Sequence, residues 1–231
     1  MIDIHSHLVP YVDDGSDDNA KSIERLKEAV EMGVTDMILT PHFRYGMFET
    51  DAVEAIKQFE DFKERVKKAG LNVNLYFGQE VHNSRTLKED LNSGYVKTLA
   101  GSKYVLLEFA FLGNSDVTGV AYSLVYGGYI PVIAHYERYA CYSLDDAYEI
   151  KSFGGKIQIN ANSFSGHNGK RAKKAVVELL DHDLVDYVAS DLHVDRHNQL
   201  AYAYNFVKKR YGEERAQKLF VTNALDIIGQ D

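Results

Sequence analysis

The chain has 231 residues, 45% hydrophobic and 26% charged, which is typical of a soluble globular protein with a large core. Its formal net charge of −8 argues against a basic face that binds nucleic acid. The single cysteine, Cys141, excludes an internal disulfide, and no apolar run approaches the roughly 20 residues that span a bilayer. Because the first residues also lack the pattern of a signal peptide, we expect a cytoplasmic protein without direct membrane insertion.

Short apolar runs alternate with amphipathic segments along the whole chain. Their periodicity predicts strands at 1–8, 36–40, 72–78, 104–111, 130–135, 156–161 and 185–190. It predicts helices at 19–32, 51–68, 84–91, 118–125, 144–153, 170–180, 197–211 and 213–228.

Strands that are each followed by helical sequence predict a mainly parallel α/β sheet with right-handed crossovers. At this length a closed or nearly closed (β/α) barrel is the leading fold, and an open doubly wound sheet is the alternative, since periodicity does not reveal closure. The absence of a linker rich in proline, glycine or serine predicts one domain over residues 1–231.

The first fifteen residues, MIDIHSHLVPYVDDG, bring two histidines close to an acidic turn. Alternate side chains of a strand share a face, so we expect Asp3, His5 and His7 to point in the same direction. The turn that follows adds the carboxylates of Asp13 and Asp14. Together these residues indicate half of a metal site; a strand with solvated or internally satisfied histidines is the alternative.

Polar residues also stand at the end of every later strand. From His7 to Asp191 they follow one another at gaps of 25 to 38 residues, about the length of one βα unit. The carboxyl ends of barrel strands converge on one face, which carries the active site of such enzymes. We therefore expect the side chains to meet around one point. The strand-end residues are His5 and His7, His42, Glu80, Glu108, His135, Asn160, Asp191 and His193.

The chemistry of this set favours metal ions. Glu108 lies within VLLEFAF, where an unpaired buried carboxylate is costly unless a metal offsets its charge; a surface glutamate at a sheet edge is the alternative. Many nitrogen and oxygen ligands without a thiolate suit two or three ions such as Mn²⁺, Fe or Zn²⁺. Clustered metals fit hydrolysis, especially at phosphorus. The expected ligands are His5, His7, Asp14, His42, Glu80, Glu108, His135, Asp191 and His193.

The same residues resemble the pattern of the PHP (polymerase and histidinol phosphatase) metallohydrolases. The segments MIDIHSHLVPYVDDG, PHFRYGMFET, VIAHYERY and VASDLH are more closely similar to the CpsB-type bacterial protein-tyrosine phosphatases of capsule and exopolysaccharide clusters. This resemblance covers nearly the whole chain. It implies a distorted (β/α)₇ TIM-like barrel that hydrolyses phosphotyrosine on the tail of a polysaccharide-export autokinase.

The resemblance also implies three divalent ions, with Mn²⁺ preferred, and a division of the ligands among them. Glu80 is expected to bridge the first two metals. The three groups are His5, His7, Glu80 and Asp191; then Glu80, Glu108 and His135; then Asp14, His42 and His193.

Several residues near the predicted ligands suit a phosphotyrosine substrate. Arg138 and Arg196 each lie three residues beyond a predicted ligand, where their planar guanidinium groups are expected to bind the phosphoryl oxygens. Solvated loop arginines are the alternative. Arg44, Tyr45 and Phe48 follow His42 closely and are expected to contact the substrate; packing of the loop itself is the alternative for the aromatic residues.

The sequence argues for water rather than a thiol as the nucleophile. Cysteine-dependent tyrosine phosphatases need a Cys-x₅-Arg loop, but the arginine position after Cys141 holds Ala147. We expect a metal-activated hydroxide to attack phosphorus directly. The remaining alternatives are a PHP phosphoesterase for histidinol phosphate or nucleotides, and a non-catalytic regulator that binds the kinase tail. The sequence leaves an oligomer open.

Overall fold

In a computed structural model that describes residues 1–112, 115–141 and 143–229, short strands alternate with helices along the chain. The strands are β1 Ile2–Asp3, β2 Asp36–Leu39, β3 His42–Phe43, β4 Asn74–Phe77, β5 Glu80–His82, β6 Tyr104–Glu108, β7 Ile130–Ile133, β8 Lys156–Asn160 and β9 Tyr187–Ala189. The helices are α1 Asn19–Glu31, α2 Ala52–Lys68, α3 Leu87–Ser93, α4 Val117–Tyr126, α5 Leu144–Ser152, α6 Ala161–Ser165, α7 Gly169–Asp181, α8 Leu200–Tyr211, α9 Glu213–Gln217 and α10 Asn223–Ile228.

The strands form two parallel ladders, β1-β2-β4 and β3-β5-β6-β7-β8-β9. β2 and β3 are successive parts of one strand that is interrupted at Pro41, which has no N–H to donate. β4 and β5 are likewise interrupted at Gly78 and Gln79. Hydrogen bonds from Gly78 N to Leu39 O (3.0 Å) and from Glu80 N to Pro41 O (3.2 Å) keep the two ladders continuous.

The last strand pairs with the first and closes the sheet. His7 N donates to Leu192 O at 2.8 Å, and Asp191 N donates to His5 O at 3.0 Å. Among the described residues, the strands therefore form a closed parallel barrel with seven strand positions. The predicted (β/α)₇ TIM-like barrel is confirmed, and the open doubly wound alternative is wrong.

Two apolar cores lie on the two faces of the barrel strands. The smaller core fills the interior below the strand ends and is covered by Ile227 of α10. Glu108 shares the interior face with Leu106, because alternate residues of β6 point the same way. The larger core packs the outer strand faces against the helices. The side chains at the strand ends that could bind metal therefore lie directly above a buried apolar core.

Besides the interruptions at Pro41 and at Gly78 and Gln79, the elements differ from the predicted ones most clearly in three places. The first strand was predicted over 1–8, but its ladder ends at Asp3 and resumes only as a bridge at Ser6. The helix predicted over 213–228 is interrupted by a π-helical turn, Lys218–Thr222. α6 was not predicted, because its five residues are too few to show a helical period.

Of the helices within the described ranges, none is long and apolar enough to cross a membrane. The single domain over 1–231 stays a prediction.

Candidate metal centre

A cavity of about 180 Å³ opens at the carboxyl ends of the strands. His5 and His7 are fully buried, and their rings contact the acidic residues that line it. The lining contains Asp14, His42, Arg44, Met47, Phe48, Glu80, Glu108, Phe111, His135, Arg138, Asp191, His193 and Arg196. The structure thus brings together the nine residues that the sequence predicts as metal ligands.

Glu80 occupies the centre of this group. Its Oε2 lies 3.2 Å from His5 Nε2, 3.3 Å from His7 Nε2 and 2.9 Å from His42 Nδ1. Its Oε1 lies 2.8 Å from His135 Nε2. Burial alone would raise the pKa of Glu80, but the charges of His5 and His42 outweigh burial and hold that pKa well below its usual range. One carboxylate therefore faces four imidazoles.

The tautomers of His5 and His7 show that this arrangement fits a cation. His5 Nδ1 lies 3.1 Å from Gln158 Oε1, and His7 Nδ1 lies 2.7 Å from Asp13 Oδ2. Both partners are acceptors, so each Nδ1 carries a proton, and in the neutral form that binds metal each Nε2 would present a lone pair. The two Nε2 atoms are only 3.0 Å apart, and the nearby Glu80 Oε2 has no hydrogen-bond partner. A bound cation would satisfy all three atoms.

The ligand atoms fall into three close groups, each within 4.8 Å. Glu80 belongs to two of them, as expected of a bridging ligand. The groups are His5, His7 and Glu80; His42, Glu80 and Glu108; and His7, His42 and His193.

The remaining predicted ligands lie at the edges of these groups. Asp191 Oδ1 is 3.8 Å from His5 Nε2 and 3.5 Å from His7 Nε2, next to the first group. Asp14 Oδ1 is 3.8 Å from His42 Nε2 and 3.9 Å from His193 Nε2.

The second predicted group also comes together, although its members are not equally close. Glu108 Oε1 lies 3.8 Å from His135 Nε2, whereas Glu80 Oε1 lies 2.8 Å from the same nitrogen. In this structure His42 Nδ1, at 3.8 Å from Glu108 Oε2, lies as near to that carboxylate as His135 does.

Burial and crowding shift the pKa values of three of these groups. Burial and the charge of Glu80 raise the pKa of Glu108 to about 7. Burial lowers the pKa of His135 to about 4. Burial and the charge of His7 lower the pKa of His193 to about 3. His135 and His193 are thus kept in the neutral form that binds metal.

Two strand-end residues have an unusual backbone. His135 (φ 34°) and Asp191 (φ 51°) adopt the left-handed conformation, which is uncommon for residues other than glycine. Such strain costs about 1–3 kcal/mol and is found most often at functional sites. It turns both side chains toward the cavity at the ends of β7 and β9.

Asp13 and Gln158 are hydrogen-bond partners of the histidines in the site. The sequence places Asp13 in the acidic turn of the predicted site but does not predict its contact with His7, and it assigns no role to Gln158. Asp13 Oδ2 binds the His7 ring and accepts from His42 N at 2.8 Å. Gln158 Oε1 faces His5 Nδ1 and accepts from His135 N at 2.8 Å. The polar Gln158 between apolar residues of β8 was the only sequence signal for its role.

Both predicted phosphate-binding arginines lie at the cavity mouth. Arg138 Nη1 donates to Asp191 Oδ2 at 3.2 Å, and Arg196 Nη1 donates to the same oxygen at 3.4 Å. The Arg138 guanidinium also lies 4.3 Å from the ring centre of Phe111, a cation–π contact that was not predicted. Asn160 Nδ2 donates to Asp191 Oδ2 at 2.7 Å.

The segment after His42 contributes two of its three predicted substrate contacts to the lining. The Phe48 ring stacks on His42 with centroids 5.4 Å apart, and Arg44 pairs with Phe48 through backbone hydrogen bonds. Tyr45 instead packs edge-on against Phe43, with centroids 5.1 Å apart, and is not part of the lining.

Comparison with known proteins agrees with this geometry. Residues 1–229 match the CpsB/CapC family model, described as capsular polysaccharide synthesis. The tyrosine-protein phosphatase CpsB of Streptococcus pneumoniae is 35% identical over 239 residues, covering 99% of this chain and 98% of that protein. The CpsB of Streptococcus agalactiae serotype V is 34% identical over 238 residues, with the same coverage.

A solved structure from work on YwqE of Bacillus subtilis and CpsB of Streptococcus pneumoniae, called unique metal-dependent tyrosine phosphatases, is also similar. It has a TM-score of 0.91 and 30% identity, covering 100% of this chain and 95% of that one. This match supports both the barrel and the presence of residues that can hold metal. The family match and the relatives show that the chain belongs to the CpsB/CapC family of capsular polysaccharide synthesis.

Proposed function

We propose that this protein is a metal-dependent protein-tyrosine phosphatase of capsule or exopolysaccharide synthesis. The observation that carries the proposal is the group of imidazoles around Glu80, placed below a cavity whose mouth holds Arg138 and Arg196. The predicted metal ligands would then lie beside two cations that suit a phosphoryl group. The names of the relatives support tyrosine phosphatase as the class of enzyme.

The nine predicted ligands would hold three divalent ions, with Mn²⁺ first and Fe or Zn²⁺ as alternatives. Nitrogen and oxygen donors without a thiolate support this choice. Glu80 is the bridging ligand, consistent with its place in two groups of ligand atoms. When bound, such ions act as Lewis acids and make hydroxide available near neutral pH.

The chain's own residues bind and orient the substrate. Arg138 and Arg196, which share Asp191 Oδ2 in this structure, present guanidinium donors to the phosphoryl oxygens. Phe111 and Phe48 line the cavity beside them and offer apolar contacts to a phenyl ring. The cavity volume of about 180 Å³ is comparable to the roughly 150 Å³ that holds a benzene ring.

The expected substrate is the tyrosine-phosphorylated tail of an autokinase that controls polysaccharide synthesis. The family description, capsular polysaccharide synthesis, supports a role in that process, and the resemblance to CpsB-type phosphatases implies the autokinase tail as the substrate. Cys141 is not part of the cavity lining, in keeping with hydrolysis that does not use a cysteine nucleophile.

The test is to strip the protein with a chelator, restore it with Mn²⁺, and compare three substrates. We expect restored turnover of a phosphotyrosine peptide that exceeds turnover of a phosphoserine peptide and of histidinol phosphate. Preference for histidinol phosphate would replace this proposal with another PHP phosphoesterase. Tight peptide binding without turnover of any substrate would instead indicate a regulator.

A further inference from the structure

Arg171, in the first turn of α7, donates two hydrogen bonds to the segment that contains Arg138. Its Nη1 donates to Tyr139 O at 2.5 Å, and its Nη2 donates to Arg138 O at 2.7 Å. One planar guanidinium thus holds two successive carbonyl groups, a geometry that lysine cannot reproduce. No pattern in the sequence indicates a role for Arg171.

The segment held by Arg171 is residues 135–139, which we call the β7 loop. It begins with the left-handed His135 and continues as a 3₁₀ turn, Tyr136–Arg138. The turn is closed by a hydrogen bond from Arg138 N to His135 O at 2.8 Å. A predicted metal ligand and a predicted phosphate-binding arginine are therefore three residues apart on one short turn.

A second side chain fixes the opposite side of the β7 loop. Glu137 is buried, and its Oε1 accepts from Asn160 N at 3.1 Å and from Ser163 Oγ at 2.5 Å. Glu137 thus joins the loop to the junction of β8 and α6. Arg171 is solvent-exposed and holds the loop from α7.

We propose that Arg171 is a positioning residue that sets the main chain of Arg138, so that the Arg138 guanidinium meets the phosphoryl group. The proposal rests on the proposed function. The Arg138 side chain is directed by Asp191 Oδ2 at 3.2 Å and by the Phe111 ring at 4.3 Å, and these contacts guide it only if its backbone is fixed. A misplacement of about 1 Å can cost roughly 100-fold in rate.

The test is a double-mutant cycle on the Mn²⁺-loaded protein. Inorganic phosphate binding is measured by calorimetry, and kcat and KM are measured with a phosphotyrosine peptide. Arg171→Met is expected to weaken phosphate binding and to lower kcat/KM by about 10-fold. This loss is smaller than the roughly 100-fold expected for a displacement of about 1 Å, because the other contacts of Arg138 remain. In the Arg138→Ala background the same change is expected to cost less than about 2-fold, because residues that act as a unit are not additive.

Two further variants separate positioning from charge. Arg171→Lys keeps the positive charge but loses the planar guanidinium that donates to two carbonyl groups at once. Phosphate affinity is expected to fall by at least about 3-fold. Lys170→Met, which removes an exposed charge next to Arg171, is expected to leave phosphate affinity and kcat/KM unchanged. Thermal melting verifies that each variant is folded.

Full phosphate affinity in Arg171→Lys would overturn the proposal, since charge alone would then suffice. The proposal would also be overturned if Arg171→Met lowered phosphate affinity as much in the Arg138→Ala background as in the wild type. That result would mean that Arg171 contacts the phosphate itself. Because phosphate binding is measured without turnover, the cycle still decides the role of Arg171 if the phosphotyrosine peptide is not hydrolysed. That last result would count only against the proposed phosphatase function.

Discussion

Glu80 and Glu108 are neighbouring carboxylates whose pKa values shift in opposite directions. Four imidazoles surround Glu80 and hold its pKa well below the usual range. Burial and the charge of Glu80 raise the pKa of Glu108 to about 7. In a site without metal, these two carboxylates repel each other in a low dielectric. A divalent ion between them would remove that repulsion and favour the charged form of both.

The first prediction concerns Glu108. Glu108→Gln keeps the size of the side chain but removes the anionic ligand, so we expect the protein to lose bound metal and at least about 100-fold in kcat/KM. Metal content by mass spectrometry and turnover of a phosphotyrosine peptide measure both effects. Cys141→Ser is the control and is expected to retain full activity. An inactive Cys141→Ser variant, or a trapped phosphoenzyme, would contradict direct attack by water.

The second prediction concerns Asp13, which orients His7. Asp13→Asn weakens the acceptor that holds the Nδ1 proton of His7, so metal affinity is expected to fall by about 10- to 100-fold. Titration of the stripped protein with Mn²⁺ measures this affinity. Asp17→Asn is the matched control, since Asp17 is an exposed acid on the same segment that pairs with Lys21. Equal affinities in both variants would remove Asp13 from the site.

At the scale of single residues, the sequence predicted which strand-end side chains converge better than it predicted their hydrogen-bond partners. Strand-end positions repeat with the βα unit, so His42, Glu80 and Glu108 could be found from spacing alone. The roles of Asp13 and Gln158 depend on which nitrogen of a distant histidine they face, and spacing carries no information on that contact.

The turn after β1 is an element whose geometry leaves no room for a side chain. A Cβ added at Gly15 would lie 2.2 Å from both Cβ and O of His7. Gly15 O also accepts from Val194 N at 3.0 Å, next to the predicted ligand His193. The turn is therefore packed directly against His7 and tied to the segment that follows β9.

The third prediction follows from this close approach. Gly15→Ala must displace the turn from His7, so Asp13 and Asp14 move and metal affinity is expected to fall by about 10-fold or more. Metal titration and thermal melting measure the effect. Gly127→Ala is the control, because a Cβ added at Gly127 would come no closer than 3.3 Å to its nearest neighbour, Leu124 O. Unchanged metal affinity in Gly15→Ala would show that the turn does not support the site.

The positions of the elements were predictable, but their interruptions were not. Hydrophobic periodicity located the strand that contains Glu108 and the strand that precedes His135. It did not reveal that Pro41 divides β2 from β3, because the residues on both sides remain extended. A π-helical turn such as Lys218–Thr222 also keeps the helical pattern of apolar residues and is visible only in hydrogen bonds.

The whole molecule contains buried carboxylates besides the predicted ligands, and these affect its stability. Burial raises the pKa of Glu137 to about 7, and burial raises the pKa of Asp3 to about 6. Each accepts hydrogen bonds that join separate parts of the barrel: Glu137 from Asn160, and Asp3 from Ser190.

The fourth prediction is a pH dependence of the free energy of unfolding. The folded pKa of Glu137 lies above its ordinary value of 4.5, so the folded state binds more protons between these values. The contribution of Glu137 to stability is then full at low pH and is lost as pH rises toward 7. Between pH 5 and pH 8, the free energy of unfolding of the metal-free wild type should fall by about 2 kcal/mol relative to that of Glu137→Gln.

Denaturant unfolding of both proteins in chelator at pH 5 and pH 8 measures this difference. A difference that stays constant with pH would contradict the raised pKa of Glu137. Glu137→Gln keeps an oxygen that can accept from Asn160 and Ser163, so the comparison isolates the charge.

The central claim is that the residues around Glu80 hold the metals that drive hydrolysis. Its most direct test is diffraction from crystals grown with Mn²⁺, with data collected at the manganese absorption edge. We expect anomalous peaks about 2.0–2.2 Å from Glu80 and its neighbouring histidines, with Glu80 shared by two of them. Crystals of Mn²⁺-activated protein that show no peak among these residues would contradict the claim.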